Sequence, residues 1–289
     1  MALLTTLLAL ANLTAGPLQA GDTPRPSAPA AYDIAPRLAA LAPTVSKFGE
    51  FDCLDFQFAG RAAKVVKPAV AVAGQPWAWR TEFWGHEPQT DLSLLAAGFH
   101  VVWIDVFGLM GGPSAMAIYD QFYDLLQGAG LAQKAALIGM SRGGLYAYNW
   151  AVHRPAAVSC IYADNPVLNL RSWPGAVGDS TSPGSAADWA LVLEHYGLTQ
   201  AEAEAYAGNP IDNLAPLAAA GIALLHVVGD ADSVVPVAEN SNLVEARYPA
   251  LGGRIEVIHK PGLDHHPHSL PDPSPIVRFI LAETPGYLD

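Results

Sequence analysis

Short apolar runs alternate with helical patterns along most of this chain, and this alternation restricts the possible fold more than any other feature of the sequence. Six runs are rich in β-branched, aromatic and other apolar residues and are predicted to be strands: 76–83, 100–105, 135–139, 158–163, 222–228 and 254–259. Four of them are almost continuously apolar, as a strand buried on both faces requires. The pattern predicts an α/β fold in which helices cover both faces of a mostly parallel sheet.

The segments between these strands show apolar residues at helical spacing and end near glycine or proline. Helices are predicted over 91–97, 115–127 and 145–153. Residues 168–216 break the alternation, because glycines and prolines lead there into an amphipathic stretch over 188–206 without a strand pattern. Long connections are usually lids or binding elements, so we predict a helical, lid-like insertion after the sixth strand, with structural cover as the alternative.

The N-terminal residues differ in character from the rest of the chain. Residues 1–20 combine an apolar stretch with small residues before a possible cleavage point, although no Lys or Arg precedes the stretch. This predicts a signal peptide, followed by a flexible linker over 21–32 that is rich in proline and small residues, and by a single domain over 33–289. We expect an exported protein, periplasmic or extracellular, whose mature chain does not insert into a membrane. An uncleaved apolar N terminus is the alternative.

The charge and the cysteines exclude several classes of function. Asp and Glu outnumber Lys and Arg by 27 to 15, so attraction to nucleic acid or to an anionic membrane is not expected. With 51% apolar and 15% charged residues, the chain can form a large buried core. Cys53 and Cys160 lie far apart in apolar surroundings, which predicts buried free thiols. The sequence does not define the oligomeric state.

Ser141 lies in the segment G-M-S-R-G, directly after a predicted strand and before a predicted helix. A nucleophile elbow has this context, since small flanking residues let the strand and the helix approach each other closely. Ser141 is therefore the predicted nucleophile. The negative charge that develops on the substrate oxygen needs two donors: the backbone N–H of Arg142 is predicted to be one, and that of Phe83 or Trp84 the other.

Two later loops contain the candidate acid and base. Asp232 follows the strand 222–228 at the edge of the sheet where ligands bind, and is preferred to Asp230, which is expected to bond the backbone of its own turn. His265 follows the strand 254–259. A serine hydroxyl must lose its proton to a base that a carboxylate holds in the correct tautomer, so Asp232 and His265 are the predicted partners of Ser141.

Other residues remain as alternatives or as substrate contacts. Asp105 and Asp164 also close strands and are alternative acids. Charged side chains in or just beyond the strand 76–83 are expected to orient a polar substrate, or else to form a salt-bridged rim. Five tryptophans form either an aromatic wall or part of the core: Trp77, Trp79, Trp84, Trp173 and Trp189. The predicted substrate-binding residues are Arg80, Glu82, His86 and His266, with Glu87 as a further rim residue.

Three histidines close together, His265, His266 and His268, also suggest a metal site. Adjacent side chains diverge in extended structure, and this segment lacks the helical i, i+4 spacing that brings two imidazoles to one ion. We therefore predict that one histidine is the base and that the others are polar walls of the site. No metal and no organic cofactor is expected, since the predicted chemistry requires neither.

The motifs GMSRGG, GDADSVVP and GLDHHPHSL occur in the order serine, aspartate, histidine. With them the chain resembles the α/β-hydrolase superfamily over about residues 51–281. It is more closely similar to a poorly characterised bacterial group of exported hydrolases, in PWAWRTEFWGHEPQTDLSLL, GFHVVWIDV, SRGGLYAYNWA, SWPG and HHPHSLPDP. The resemblance implies an α/β-hydrolase fold and triad roles for Ser141, Asp232 and His265. It implies no substrate, because the superfamily hosts esterases, lipases, peptidases and lyases.

One position departs from the pattern of this superfamily. Asp264 stands where a small residue is usual, so its carboxylate either acts electrostatically on His265 or points to solvent. The Ser-Arg-Gly-Gly elbow is also similar, over a few residues, to that of glucuronoyl esterases, which act on sugar esters.

The sequence thus predicts a serine hydrolase that forms an acyl-enzyme on Ser141 and cleaves a carboxylic ester of a polar or carbohydrate-linked molecule. A small-peptide or amide hydrolase with the same triad is one alternative. A carbohydrate-binding domain without catalysis is the other.

Overall fold

A computed structural model describes residues 32–287, so the predicted signal peptide and all of the predicted linker except Tyr32 lie outside the described residues. This part of the chain contains one sheet of nine strands. The strands are β1 (Thr44–Phe48), β2 (Phe51–Phe58), β3 (Arg61–Val66), β4 (Trp77–Arg80), β5 (His100–Ile104), β6 (Ala135–Met140), β7 (Val158–Asp164), β8 (Ala223–Gly229) and β9 (Ile255–Lys260).

The order of the strands across the sheet is β1-β2-β3-β5-β4-β6-β7-β8-β9. The six strands from β5 to β9 in this order are parallel, which confirms the prediction of a mostly parallel sheet. The first three strands pair antiparallel with one another, and β3 pairs antiparallel with β5. They were not predicted, because they mix polar and apolar residues and β1 is largely exposed.

Eight α-helices connect or follow the strands within residues 32–287. They are α1 (Gln89–Ala96), α2 (Pro113–Gly128), α3 (Gly143–His153), α4 (Ala186–Tyr196), α5 (Gln200–Glu204), α6 (Ala215–Ala219), α7 (Ser241–Arg247) and α8 (Ser274–Ala282). In this part of the chain, no helix combines the length and the apolar character that crossing a membrane requires.

The insertion over residues 168–216 follows β7 and not a sixth strand, because the sheet contains three antiparallel strands, β1 to β3, before the first predicted strand. It contains α4, α5 and the start of α6, without a strand. The amphipathic stretch predicted as one unit over 188–206 forms two helices. Gly197 ends α4 in the left-handed conformation with φ 65°, and Thr199 and Glu202 form a capping box that starts α5.

Side chains on alternate positions of β4 enter two separate apolar cores. Trp77 and Trp79 lie in the larger core, where Trp79 packs against Trp150 of α3 with ring centroids 4.9 Å apart. Ala78 faces the other side, in a core that includes residues of α1 and α8. This alternation is the period of two that a strand imposes. Helices therefore cover both faces, and Trp77 and Trp79 belong to the interior and not to a substrate wall.

Both cysteines are buried and free, as predicted. Burial raises the pKa of the Cys160 thiol to about 12, so this side chain stays protonated and unreactive at neutral pH.

His226 lies in β8 and is fully buried. Its Nε2 lies 2.6 Å from the hydroxyl oxygen of Tyr148, and its Nδ1 lies 3.0 Å from that of Ser241. Burial lowers the pKa of His226 from 6.5 to about 3, because an imidazolium would lose its hydration there. The unfolded chain takes up this proton at a higher pH than the folded chain, so stability decreases as the pH falls from about 6.5 towards about 3.

Acidification from about pH 7 to about pH 4.5 is therefore expected to lower the free energy of unfolding by about 3 kcal/mol through His226 alone. Urea unfolding curves at the two pH values measure the loss. The glutamine of His226→Gln has no titrating group. The decrease in its free energy of unfolding between these two pH values should therefore be smaller than that of the wild type by about 3 kcal/mol. An equal loss in both proteins would contradict the assignment.

Candidate active site

Ser141 occupies the sharp turn between β6 and α3. Its φ angle is 47°, in the left-handed region that side chains rarely adopt, so the turn is strained at this residue. Three backbone hydrogen bonds hold it: its N–H donates to the carbonyl of Asp164 at 2.8 Å, and its carbonyl accepts from Gly144 and Val167, each at 2.9 Å. The structure thus contains the strand, turn and helix predicted from the sequence.

Glycine is required at two positions around this turn. A Cβ on Gly139 would lie 2.8 Å from the carbonyl oxygen of Gly143, where α3 begins. A Cβ on Gly144 would lie 2.7 Å from the side chain of Pro166, in the loop after β7. Side chains at these positions would therefore push the helix and the neighbouring loop away from the strand.

The side chains of Ser141, His265 and Asp232 form a continuous hydrogen-bonded chain. Nε2 of His265 lies 2.9 Å from the Ser141 hydroxyl oxygen, and its Nδ1 lies 2.7 Å from Oδ2 of Asp232. The three residues stand at the carboxyl ends of β6, β9 and β8. The structure therefore brings together the residues predicted as nucleophile, base and acid, in an arrangement that can transfer a proton from the hydroxyl to the imidazole.

Asp232 is fixed by the backbone of its own loop. Its Oδ1 accepts hydrogen bonds from the N–H groups of Val234 at 2.9 Å and Val235 at 2.7 Å, which leaves Oδ2 for His265. The side chain is buried. Because both oxygens have partners, the carboxylate has one orientation and holds the Nδ1 proton of His265 in place.

Asp264 connects the loop that contains Asp232 to the loop that contains His265. Its carboxylate accepts from the backbone N–H of Ser233 and from that of His265, each at 2.7 Å, and from the Ser233 hydroxyl. The hydrogen bond from the Ser233 N–H, followed by that from His265, lowers the pKa of the Asp264 carboxyl. The Asp264 side chain is exposed to solvent, and its hydrogen bonds hold the two loops together.

Asn165, directly after β7, also positions the base and was missed by sequence reasoning. Its Nδ2 donates to the carbonyl of His265 and its Oδ1 accepts from the N–H of Gly229, both at 2.7 Å. It is buried and has a φ of 40°. An asparagine at the end of a buried strand was the only signal in the sequence, and the same residue type is common in turns.

The alternative acids have other partners. Asp164 is fully buried and accepts from the hydroxyl of Tyr162 and the N–H of Ser269, each at 2.7 Å, while Lys260 lies 3.5 Å away. Asp105 accepts from the N–H of Phe107. Neither side chain contacts His265. Asp230 was expected to bond its own turn, but its carboxylate lies 2.7 Å from Nδ1 of His259, because β9 places that ring beside it.

Two of the predicted oxyanion donors, Phe83 and Trp84, belong to the loop after β4, and the third, Arg142, directly follows Ser141. The hydroxyl of Thr81 donates to the carbonyl of Gly143 at 2.8 Å and so attaches the loop after β4 to the elbow. Among the residues that the structure describes, the N–H groups of Arg142, Phe83 and Trp84 have no protein acceptor. They are free to bind a substrate oxygen, and which of the last two completes the pair stays a prediction.

Arg80, predicted to bind substrate, is instead buried. Its guanidinium pairs with Asp91 at 2.6 Å, and both side chains are 0% exposed. Burial raises the pKa of the Asp91 carboxyl. A further nitrogen of Arg80 lies 3.1 Å from the sulfur of Met140, the residue before the nucleophile. The prediction for Arg80 was wrong, because β4 lies in the middle of the sheet and directs this side chain into the interior.

Replacement of Arg80 by methionine is expected to lower the free energy of unfolding by about 3–5 kcal/mol, since it leaves a carboxylate buried without its cation. Urea unfolding measures the loss. The double replacement Arg80→Met, Asp91→Leu leaves no buried charge and should be more stable than Arg80→Met alone. A double variant that is less stable than the single one would contradict this explanation.

Glu82 differs from its predicted role as well. Its carboxylate accepts three hydrogen-bond contacts from the Arg142 guanidinium, at 2.7 to 3.1 Å, and its side chain is 4% exposed. Burial raises the pKa of the Glu82 carboxyl, against the effect of Arg142. The same guanidinium reaches Asp188 of α4 at 3.0 Å. Glu82 therefore orients Arg142, which joins the loop after β4, the elbow and the insertion.

His86 and His266, the other two residues predicted to bind substrate, lie beside the triad. The ring of His266 is 5.0 Å from that of His265 and 5.9 Å from that of His86, between centroids. His268, 4.9 Å from His265, completes the group. Burial, followed by the neighbouring histidines, lowers the pKa of His266 and sets that of His268 far below its usual value. Sequence reasoning did not connect His86 with the other two.

No protein-family model matches the sequence, and no curated protein matches it significantly. The structure is similar to several solved ones. The S-formylglutathione hydrolase of Agrobacterium tumefaciens gives a TM-score of 0.59 at 15% identity, over 82% of this chain and 94% of that one. A putative lipase of Acinetobacter baumannii gives 0.52 at 12%, over 86% and 95%. These similarities establish the α/β-hydrolase fold, as predicted.

A puromycin-hydrolysing peptidase of Mycobacterium tuberculosis gives a TM-score of 0.59 at 15% identity, over 83% of this chain. The match spans only 38% of the peptidase. This chain thus corresponds to nearly the whole of the first two structures and to well under half of the third.

Proposed function

We propose that this protein is a serine hydrolase that forms an acyl-enzyme on Ser141, with carboxylic esters of polar or carbohydrate-linked molecules as its substrates. The observation that carries the proposal is the chain of hydrogen bonds from Ser141 through His265 to Asp232, at 2.9 and 2.7 Å. Such contacts couple a weak nucleophile to a general base and orient that base by a carboxylate. The strained φ of 47° at Ser141 supports the same role.

In the first half of the reaction, the Ser141 oxygen attacks the carbonyl carbon while its proton passes to Nε2 of His265. Asp232 stabilises the imidazolium through the Nδ1 proton. The oxygen of the tetrahedral intermediate accepts hydrogen bonds from the N–H of Arg142 and from that of Phe83 or Trp84. When the intermediate collapses, the bond to the alcohol breaks and His265 returns the proton to the leaving oxygen. The product is an ester between the acyl group and Ser141.

In the second half, a water molecule takes the place of the alcohol. His265 removes a proton from it as it attacks the acyl carbon, and the same N–H groups bind the oxyanion. Collapse returns the proton to the Ser141 oxygen and releases the carboxylic acid. Each half uses Ser141, His265, Asp232 and the backbone N–H groups that bind the oxyanion, so no further catalytic group is needed.

The solved structures that share this fold include a putative lipase and an S-formylglutathione hydrolase as well as peptidases, so the fold is compatible with either class of substrate. The chain covers 94% of the S-formylglutathione hydrolase and 95% of the putative lipase, but 38% of the puromycin-hydrolysing peptidase and 35% of a putative dipeptidyl aminopeptidase IV. The peptidases contain long additional segments that this chain does not match. Hydrolysis of small peptides or amides on the same triad is the second candidate, because the fold is common to both groups.

The preference for a polar substrate rests on the imidazoles beside the triad. His86 and His266 reach solvent next to His265, and each offers ring nitrogens to hydroxyl or carboxylate groups. Trp84 and Trp173 are partly exposed, but Trp84 packs against Phe48 and Trp103, and Trp173 packs against the larger core, so neither is assigned to the substrate. Arg80 and Glu82 no longer contribute to this proposal, since their charges are neutralised within the protein.

A substrate panel tests the proposal. Acetyl, feruloyl and methyl uronate esters are compared with aminoacyl arylamides at equal concentration, and kcat/KM is measured for each. Higher values for the esters are expected, and a preference for arylamides would favour the peptidase alternative. A fluorophosphonate probe should label the wild-type chain and not Ser141→Ala. A folded wild-type protein that is not labelled would favour a non-catalytic carbohydrate-binding domain.

Export of the protein is a further part of the proposal, supported by the apolar and small residues of positions 1–20. Fractionation of cells that express the full chain, followed by mass spectrometry of the N terminus, tests it. Cleavage near residue 20 is expected, and an intact N terminus in the cytoplasmic fraction would contradict it.

A further inference from the structure

Three histidines from two distant parts of the chain converge at the rim of the candidate active site. His86 belongs to the loop after β4, whereas His266 and His268 belong to the loop after β9. One ring nitrogen of each lies within 4.8 Å of one of each of the others. No carboxylate or thiol belongs to this group, so its potential ligands are three imidazoles.

The distances suit a small tetrahedral ion. Zinc binds imidazole nitrogen at about 2.0–2.1 Å, which places two ligand nitrogens about 3.3 Å apart. Nε2 of His86 and Nδ1 of His268 already lie 3.2 Å apart. The third ligand, His266, is exposed to solvent, and one of its ring nitrogens lies within 4.8 Å of those of the other two. One ion can therefore be reached from all three rings by a small side-chain movement.

The neighbourhood provides a fixed ligand and two adjustable ones. His268 is 4% exposed, and its Nε2 has no hydrogen-bond partner among residues 32–287. Its Nδ1 faces His86. Packing thus holds this ring in place, while His86 and His266 approach from the solvent side and leave a coordination position open to water.

We propose that His86, His266 and His268 form a binding site for a divalent transition-metal ion of the zinc type. Neutral imidazoles bind Zn²⁺, Ni²⁺ and Cu²⁺ well, whereas Mg²⁺ and Ca²⁺ require oxygen ligands. The site is distinct from the triad, since its three ligands do not include Ser141, His265 or Asp232.

An ion bound at this site is also expected to slow catalysis, an inference that rests on the proposed hydrolase function. The rings of His266 and His268 lie 5.0 and 4.9 Å from that of His265, between centroids. A dication held by those two rings lies beside His265, and its charge opposes the positive charge that the imidazole takes up in the proposed mechanism. Zinc bound at this site therefore inhibits the hydrolase reversibly.

Isothermal titration calorimetry with ZnCl₂ tests binding in Ser141→Ala protein without a polyhistidine tag, so the result does not depend on catalysis. Saturable binding of one Zn²⁺ per chain is expected. Loss of an outer partner of a metal ligand costs about 10–100-fold in affinity, so His86→Ala and His266→Ala should each weaken binding at least that much. Both side chains reach solvent, and these variants are expected to fold. His268→Ala tests the third ligand in the same way, after circular dichroism has shown that this variant with a buried replacement is folded.

His259→Ala is the matched control, since His259 is an exposed histidine paired with Asp230 outside the cluster. It should bind Zn²⁺ as the parent does, and MgCl₂ should give no saturable heat. Absence of saturable zinc binding, or equal affinity in the His86 and His259 variants, would overturn the site.

Inhibition is measured separately in the wild-type enzyme. Saturating Zn²⁺ should lower kcat/KM for an ester by at least about 10-fold, with recovery after EDTA. The same concentration should inhibit His86→Ala less. Binding without loss of rate would refute the inhibitory role and leave the site itself intact. A wild type without esterase activity would refute the proposed function, and calorimetry would still decide the site.

Discussion

Replacement of Ser141 by alanine is expected to reduce kcat for ester hydrolysis by about 10⁵–10⁶-fold, the largest effect of any single replacement in this protein. In the proposed mechanism the Ser141 oxygen forms the bond to the acyl group, and no other hydroxyl among the described residues is bonded to His265. The remaining rate should still exceed that in water, because the N–H groups near the elbow continue to bind the oxyanion. Initial rates with p-nitrophenyl acetate at saturating substrate measure the loss.

The three triad residues should behave as a unit. Ser141→Ala with His265→Ala is expected to be little slower than Ser141→Ala alone, since the base has no proton to remove once the hydroxyl is absent. Two independent losses that multiply would contradict the relay. Ser172, a buried serine outside the relay, provides the matched control: Ser172→Ala should retain most of the rate.

Asp232→Asn is expected to lower kcat by about 10⁴-fold with little change in KM. The reason lies in the loop around this residue. Oδ1 accepts from the N–H groups of Val234 and Val235, so the asparagine oxygen must occupy that place and its NH₂ group must face His265. Nδ1 of His265 then has to accept, which moves the proton to Nε2 and leaves no lone pair for the Ser141 proton.

Asp230→Asn is the control for this replacement, because Asp230 stands two residues earlier in the same loop and pairs with His259. Its effect on kcat should be small. Comparable losses in the two variants would show that the loop, and not the tautomer of His265, determines the rate. Circular dichroism and thermal unfolding confirm that both variants remain folded.

Much of the fold was predictable from short stretches of sequence. The six parallel strands were located to within a few residues, because a strand buried on both faces must be nearly continuously apolar and leaves a clear signal. The antiparallel strands β1 to β3 gave no such signal. Their residues are partly exposed, and their pairing depends on contacts between strands and not on composition.

The candidate site, like the fold, was only partly predictable from the sequence. The residues of the proposed triad were recognisable because each has a local context: a glycine-flanked turn for Ser141 and a loop after a buried strand for Asp232 and His265. Arg80 and Glu82 were misinterpreted because their partners, Asp91 and Arg142, are set by packing. The sequence near the end of a strand does not indicate whether a charged side chain faces solvent or pairs with a buried counterion.

The sequence by itself determined the positions of the six parallel strands, the turn at Ser141 and the choice of Ser141, Asp232 and His265 as the proposed triad. Those properties depend on local backbone preferences and on the burial of neighbouring residues. Only the tertiary structure decided that Asn165 and Asp264 position the base, and that His86 meets His266 and His268. The loops after β4 and β9 come together only when the sheet packs, and the distances between their side chains are set by that packing.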